Sequence, residues 1–157
     1  MTKAIPEEYN SVTPIFVFKD ARKAIEFYKQ AFGAEERLAM PGPDGKGVMH
    51  AELRIGNSII MMGEENPQQR CKSAETSGGS PVSFYLYIEN VDEAFRKAID
   101  AGAEVRMPVQ DMFWGDRVGT VQDPFGYSWM LATHTKDLSP QEIQQGAQAA
   151  FAQMAKK

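Results

Sequence analysis

Cysteine is nearly missing from this chain. The single Cys71 cannot form an internal disulfide, and a lone thiol fits a reducing compartment. Nor is there a cluster of basic residues. With 17 Lys and Arg against 21 Asp and Glu, the net charge is -4. A nucleic-acid partner is disfavoured, because such proteins carry a positive footprint for phosphate. No apolar run approaches the roughly 18 residues that a membrane span needs. The opening MTKAIPEEYN lacks the apolar stretch of a signal peptide. These absences together lead us to expect a cytoplasmic protein with neither a membrane nor a nucleic acid as partner.

What is present suits a folded domain. The 157 residues, 43% of them hydrophobic, are enough for one core or for two small halves sharing one. The most informative stretch is Asp111 to His134, DMFWGDRVGTVQDPFGYSWMLATH. It reads as a strand pair turning at Asp123-Pro124-Phe125-Gly126, where proline presets φ and glycine accepts a positive φ. A second copy lies upstream: His50 to Met61 matches Gly119 to Met130 at a constant offset of 69 residues. At that offset Asn57 falls on Gly126 and Met61 on Met130. The chain is a doubled object.

Each half follows one plan. In the first, Thr13 to Lys19 is a strand and Asp20 caps a helix over Ala21 to Phe32. Ala24, Ile25, Phe27, Tyr28, Ala31 and Phe32 give that helix its apolar stripe, and Gly33 ends it. Strands at Glu35 to Met40, Val48 to Ile55 and Ser58 to Gly63 follow. In the second half Val82 to Glu89 is the strand, and Asn90 with Glu93 opens a helix in capping-box fashion. Ala94, Phe95, Ala98 and Ile99 line that helix, and Gly102 closes it. Glu104 to Gln110 and the Asp111 to His134 hairpin complete the unit. Two tandem β-α-β-β-β modules of an α+β fold are therefore expected within one domain over 12-136. The modules span 12-64 and 81-136. The polar segment 65-80 between them is a linker or, on the other reading, a lid over a site. Over 138-157, Ser139-Pro140-Gln141-Glu142 starts a terminal helix with a stripe of Ile143, Ala147, Phe151 and Met154. That helix is either packed on its own domain or a dimer contact.

A doubled chain of this size, with Gly-Ala-Glu helix exits and an Asp-Pro-Phe-Gly turn, resembles the vicinal-oxygen-chelate superfamily of glyoxalase I, bleomycin-resistance proteins and extradiol dioxygenases. Phe27 to Glu35, Met49 to Gly56 and Phe113 to Arg117 resemble its PhnB-like branch. The resemblance implies curved mixed sheets around a cavity, and a homodimer. It also implies four metal-ligand positions on the first and last strands of each module, which here carry Thr13, Met61, Ser83 and Met130. None is a histidine or a carboxylate. Thioethers and hydroxyls suit the hard or borderline cations of this group poorly. The expectation is no metal and no other cofactor.

Strand alternation suggests what replaces a metal. Thr13, Ile15 and Val17, and equally Ser83, Tyr85 and Tyr87, share a cavity face, while Phe16, Phe18, Phe84, Leu86 and Ile88 face the helices. His50, Glu52 and Arg54 alternate with apolar Met49, Ala51, Leu53 and Ile55. By the 69-residue offset, Arg117, Gly119 and Val121 share the His50 phase. A pocket of His50, Glu52, Tyr85, Tyr87 and Arg117 would bind a small polar molecule bearing an acid or phosphate group. Arg117 would be its fork-shaped anchor, paired otherwise with Glu52, and Gly119 would leave the ligand room. Trp114, with Phe113, would stack a flat ligand or serve as edge packing. Two functions follow: a bleomycin-resistance-like binder of a small aromatic or acidic molecule, or an isomerase- or lyase-like enzyme in which His50 and Glu52 transfer a proton. The polar residues could equally form a structural network. His134, at a strand end, reads as a surface histidine. Cys71 lies in the polar segment with no histidine near it in sequence, and is not a catalytic candidate.

Overall fold

The computed structural model describes residues 2–156. In the first half, strand β1 (Ile15–Phe18) leads into helix α1 (Ala21–Phe32), followed by β2 (Glu35–Met40), β3 (His50–Ile55) and β4 (Ser58–Glu64). The second half repeats this with β5 (Ser83–Tyr87), α3 (Val91–Asp100), β6 (Glu104–Asp111), β7 (Asp116–Gln122) and β8 (Ser128–His134). Between them lie a 3-10 turn at Pro67–Gln69 and a one-turn helix α2 (Ala74–Ser77). Helix α4 (Pro140–Met154) follows β8. The sheet orders are β1-β4-β3-β2 and β5-β8-β7-β6, the same order twice.

Local chemistry sets the helix ends. The Asp20 side chain accepts the Lys23 amide and Gly33 takes the left-handed conformation (φ 65°), so α1 starts and stops where its caps permit. Asn90 caps α3 in the same way. Ser139 and Glu142 form a reciprocal capping box at the start of α4.

One face of each sheet is covered by its helix. Phe16 and Phe18 of β1, Ala51, Leu53 and Ile55 of β3, and Trp129 and Leu131 of β8 pack with Ala24, Ile25 and Tyr28 of α1 into one core. Phe16 stacks on Trp129 with ring centroids 5.7 Å apart and meets Phe84 at 4.5 Å, so the two halves share this core. The Asp-Pro-Phe-Gly turn ties them together by polar bonds as well. The Tyr28 hydroxyl of α1 donates to Asp123 at 2.6 Å, and the Trp129 indole donates to the same carboxylate at 3.0 Å. The backbone amides of Phe125 and Tyr127 close the turn onto Asp123, each at 2.9 Å. The Tyr127 hydroxyl donates to the Val17 carbonyl at 2.9 Å, reaching from the second half to β1.

The other face of each sheet has no helix of its own module behind it. Ile15 (71% exposed) and Tyr87 (61%) lie uncovered there. These two open faces carry the side chains of functional interest.

Candidate functional site

The open face of the first sheet is set by pairing. Ile15 lies beside Met61 and Met61 beside Glu52, while Arg54 sits beside Ile59. His50, Glu52 and Met61 therefore share the face opposite Phe16 and Leu53. The His50 Nε2 stands 3.3 Å from Glu52 Oε1. The Glu52 carboxyl is held below its ordinary value, first by the Tyr9 hydroxyl and then by His50, against the opposing pull of burial. Tyr9 belongs to the N-terminal segment, which lies across this face. Ile5, Tyr9, Asn10 and Thr13 of that segment, together with Glu52 and Met61, line a cavity of about 540 Å³.

The second open face is organised by a residue that sequence reasoning did not select. Asp116 opens β7 opposite His134 of β8 and is only 3% exposed. It accepts hydrogen bonds from the hydroxyls of Tyr85 at 2.8 Å and Tyr87 at 3.0 Å, and its other oxygen lies 2.7 Å from His134 Nδ1. The far nitrogen of His134 lies 2.9 Å from Asp137. The Trp114 indole donates to the Tyr85 hydroxyl at 3.2 Å. Carboxylates at both ring nitrogens favour the doubly protonated imidazole, and His134 is raised above its ordinary value by Asp116 first and Asp137 second. Burial opposes the charge on Asp116, but the His134 and tyrosine bonds outweigh it and its carboxyl is lowered. Burial and the Asp116 bond push the Tyr85 phenol up to about 12, against the lowering influence of the Trp114 donor. The Tyr87 phenol is raised by its Asp116 bond before burial. The result is a fixed aromatic wall, with the Tyr85 and Tyr87 rings 5.2 Å apart and Trp114 bonded to the first of them.

Helix α4 lies beside this wall. Ala149, Ala150 and Gln153 of α4 face Met107, Met112, Phe113 and Trp114 across a cleft of about 730 Å³. Gly146 permits the contact, since a Cβ there would come within 3.0 Å of the Phe113 Cβ. None of α4 is buried, and Phe151 and Met154 remain exposed.

Three expectations need correction. Arg117 does not reach the open face: it faces α3, where it holds Asp92 with two bonds of 2.8 Å and Asp111 at 3.2 Å. Glu52 is therefore not its partner. Gly119 makes no room for a ligand either, because a Cβ there would come within 2.6 Å of the Phe95 ring of α3. Both corrections have one cause, the length of the hairpin turn. In the first half Gly56 and Asn57 separate Ile55 from Ser58, whereas three residues, Pro124 to Gly126, separate Asp123 from Tyr127. Met61 pairs with Glu52 and Met130 with Thr120. The offset is thus 69 residues after the turn (130 − 61) and 68 before it (120 − 52). A slip of one residue moves every side chain of a strand to the other face. Asp116, Val118 and Thr120 therefore take the open face, and Arg117, Gly119 and Val121 the helix face. Third, His134 is not a simple surface histidine but the bridge between Asp116 and Asp137. The signal for that network was visible only as Asp116 and His134 at opposite ends of one hairpin.

The remaining expected residues fall as follows. Tyr85, Tyr87 and Trp114 come together on the second open face, while His50 and Glu52 pair on the first. Of the implied metal positions, Met61 lies beside Glu52 and Met130 beside Thr120. The Thr13 hydroxyl donates to the Asn10 carbonyl at 3.3 Å, and Ser83 opens β5 as an exposed residue. Among the described residues no three His, Cys, Asp or Glu side chains gather at metal-binding spacing. Two thioethers and two hydroxyls do not fit a divalent cation.

This geometry, a pair of like-ordered four-stranded sheets each with one open polar and aromatic face, matches a known family. The model of the glyoxalase/bleomycin resistance protein/dioxygenase superfamily matches residues 11–131, and the chain belongs to that superfamily. Its relatives include an uncharacterized protein of Mycobacterium bovis, 40% identical over 137 residues, spanning 85% of this chain and 90% of the relative. Among solved structures, one from Arabidopsis thaliana is 29% identical with a TM-score of 0.63, covering 78% of this chain and 98% of that one. A PhnB protein from Bacillus cereus shares the fold, with a TM-score of 0.62 at 20% identity over 79% of this chain and 99% of that one. No helix among the described residues is long and apolar enough to cross a membrane.

Proposed function

We propose that this protein is a metal-independent binder of a small polar or aromatic organic molecule, held on the open sheet faces. The observation that carries this reading is the wall of Tyr85, Tyr87 and Trp114, fixed by the buried Asp116 and yet open to solvent. Fixing aromatic rings before a ligand arrives lowers the ordering cost of binding. Exposed rings with rigid polar tips suit flat or amphipathic ligands. The thioethers and hydroxyls at the family's metal positions support binding without a metal. A free Cys71 fits a reducing cytoplasmic setting.

The functional unit in this proposal is a homodimer. Ile15, Tyr85 and Tyr87 stand exposed on the open faces, and apolar sheet surface of this kind is ordinarily covered by another layer. A second copy of the chain supplies that layer and encloses the cavity. The test is ligand screening by Trp114 fluorescence, with Trp114→Phe as the signal control. A compound that quenches the wild type and loses affinity in Tyr87→Ala supports the reading. Equal affinity in Tyr87→Ala removes the second face from the site.

The alternative is an enzyme in which His50 and Glu52 carry a proton in an isomerase- or lyase-like step. It draws on the 3.3 Å approach of the two side chains beside the cavity. His50→Gln separates the two readings. A binder keeps most of its affinity, whereas an enzyme keeps ligand binding and loses turnover.

A further inference from the structure

With Arg117 turned to the helix side, a different pair of arginines holds the N-terminal segment that walls the first cavity. Arg37 of β2 and Arg54 of β3 both reach the Glu8 carboxylate of the N-terminal segment, at 2.8 Å and 3.7 Å. Arg54 has a second partner in Glu35. For Arg37, Glu8 is the ion-pair partner found among the described residues. Glu8 adjoins Tyr9, which lines the cavity against Glu52.

Glu8 holds this place at a conformational cost. Its φ is 68°, and among the described residues only Arg70 is another non-glycine residue with a positive φ. A side chain at Cβ disfavours this region, so the backbone does not prefer the arrangement by itself. Side-chain ion pairs hold the segment down, and they are partly exposed, with the Glu8 side chain 48% accessible. Such a contact is weak enough to exchange.

We infer that Arg37 and Arg54 form a carboxylate-binding site at the rim of the first cavity, and that Glu8 fills it as a tethered substitute for a ligand carboxylate. The ligand class is a small organic acid. Its carboxylate replaces that of Glu8 on the planar guanidinium of Arg37, which matches a carboxylate in geometry. Its body lies against Thr13, Glu52 and Met61 of the cavity, and residues 4–12, Tyr9 among them, lift from the sheet. This inference rests on the reading that the open faces bind a small organic molecule, and it assigns the acidic end of that molecule.

The test uses full-length protein and benzoate as probe, followed by amide chemical shifts. A tethered competitor held by exposed ion pairs worth at most about 1 kcal/mol masks the site by about five-fold. Glu8→Gln, which keeps the side-chain length and removes the charge, should therefore bind benzoate about five-fold tighter than wild type. Saturating benzoate should shift the amides of residues 4–12 in wild type. Glu8→Gln combined with Arg37→Met should lose the binding while keeping the wild-type far-ultraviolet circular dichroism. Benzoate binding that is no tighter in Glu8→Gln, that is undetectable in that variant, or that survives Arg37→Met overturns the inference. A ligand that quenches Trp114, found together with failure of the benzoate test, leaves the binder reading standing while this site falls. A five-fold gain for benzoate with no compound ever quenching Trp114 does the reverse for the aromatic wall.

Discussion

Replacing Asp116 by Asn probes the network that holds the aromatic wall. The carboxylate accepts the Tyr85 and Tyr87 hydroxyls at 2.8 and 3.0 Å and faces His134 Nδ1 at 2.7 Å. With 3% of the residue exposed, water cannot take over these roles. The amide has one acceptor oxygen where the carboxylate had two, and it carries no charge. Each of the three contacts falls from a charge-assisted bond to a neutral one, a loss of about 1 kcal/mol apiece, or about 3 kcal/mol in all. For a chain of this size that corresponds to a fall of roughly 9 °C in Tm. Urea unfolding should show the loss, and near-ultraviolet circular dichroism should show the released tyrosines. The penalty also depends on pH. The raised pKa of His134 contributes stability that is fully present below its ordinary value of 6.5 and lost as pH rises through the folded value. The lowered pKa of Asp116 contributes stability present above its ordinary value of 3.8 and lost as pH falls through the folded value. The penalty should therefore be largest near pH 5 to 6 and should shrink as pH rises through the folded value of His134, where wild type loses the imidazolium. A loss below about 1 kcal/mol, or one that stays constant as pH rises, would refute the account of Asp116.

Other substitutions address the packing and the strand phase. Tyr28→Phe removes the 2.6 Å donor to the buried Asp123 and should cost about 2 kcal/mol in urea unfolding, because the carboxylate stays buried with one bond fewer. Gly119→Ala drives a Cβ within 2.6 Å of Phe95 and should destabilise by about 1 to 3 kcal/mol; unchanged stability would place Gly119 on the open face after all. Arg117→Met should lower Tm by no more than a few degrees and leave ligand affinity unchanged, since the guanidinium engages Asp92 and Asp111 on the helix side; a ten-fold loss of affinity would restore it to the site.

Much of the fold could be read from residues because local signals and tertiary demands agreed. Asp20 and Gly33 bound α1 as their capping chemistry requires, and Phe16, Phe18, Phe84 and Leu86 face the core as alternation requires. The phase of β7 was hidden by one extra residue in the Asp-Pro-Phe-Gly turn. That turn serves Asp123, Tyr28 and Trp129 as well as the hairpin, and repeat matching alone does not weigh such contacts. Asp116 and His134 escaped for a related reason. Their roles arise from four elements meeting, with Tyr85 and Tyr87 from β5 and Trp114 from the loop before β7, and no short motif encodes that meeting. The N-terminal segment carries no motif and gains its role only by lying across β2 and β3, where Glu8 finds Arg37 and Arg54.

Native mass spectrometry of the protein as purified bears most directly on whether this superfamily member binds an organic molecule without a metal. A chain of 17.5 kDa should appear at twice that mass, with no added zinc, nickel, manganese or iron, and a fraction of it should carry an organic adduct that collisional activation releases. One tightly held metal ion per chain, surviving extensive dialysis, would contradict the account and point to the His50 and Glu52 pair as its ligands.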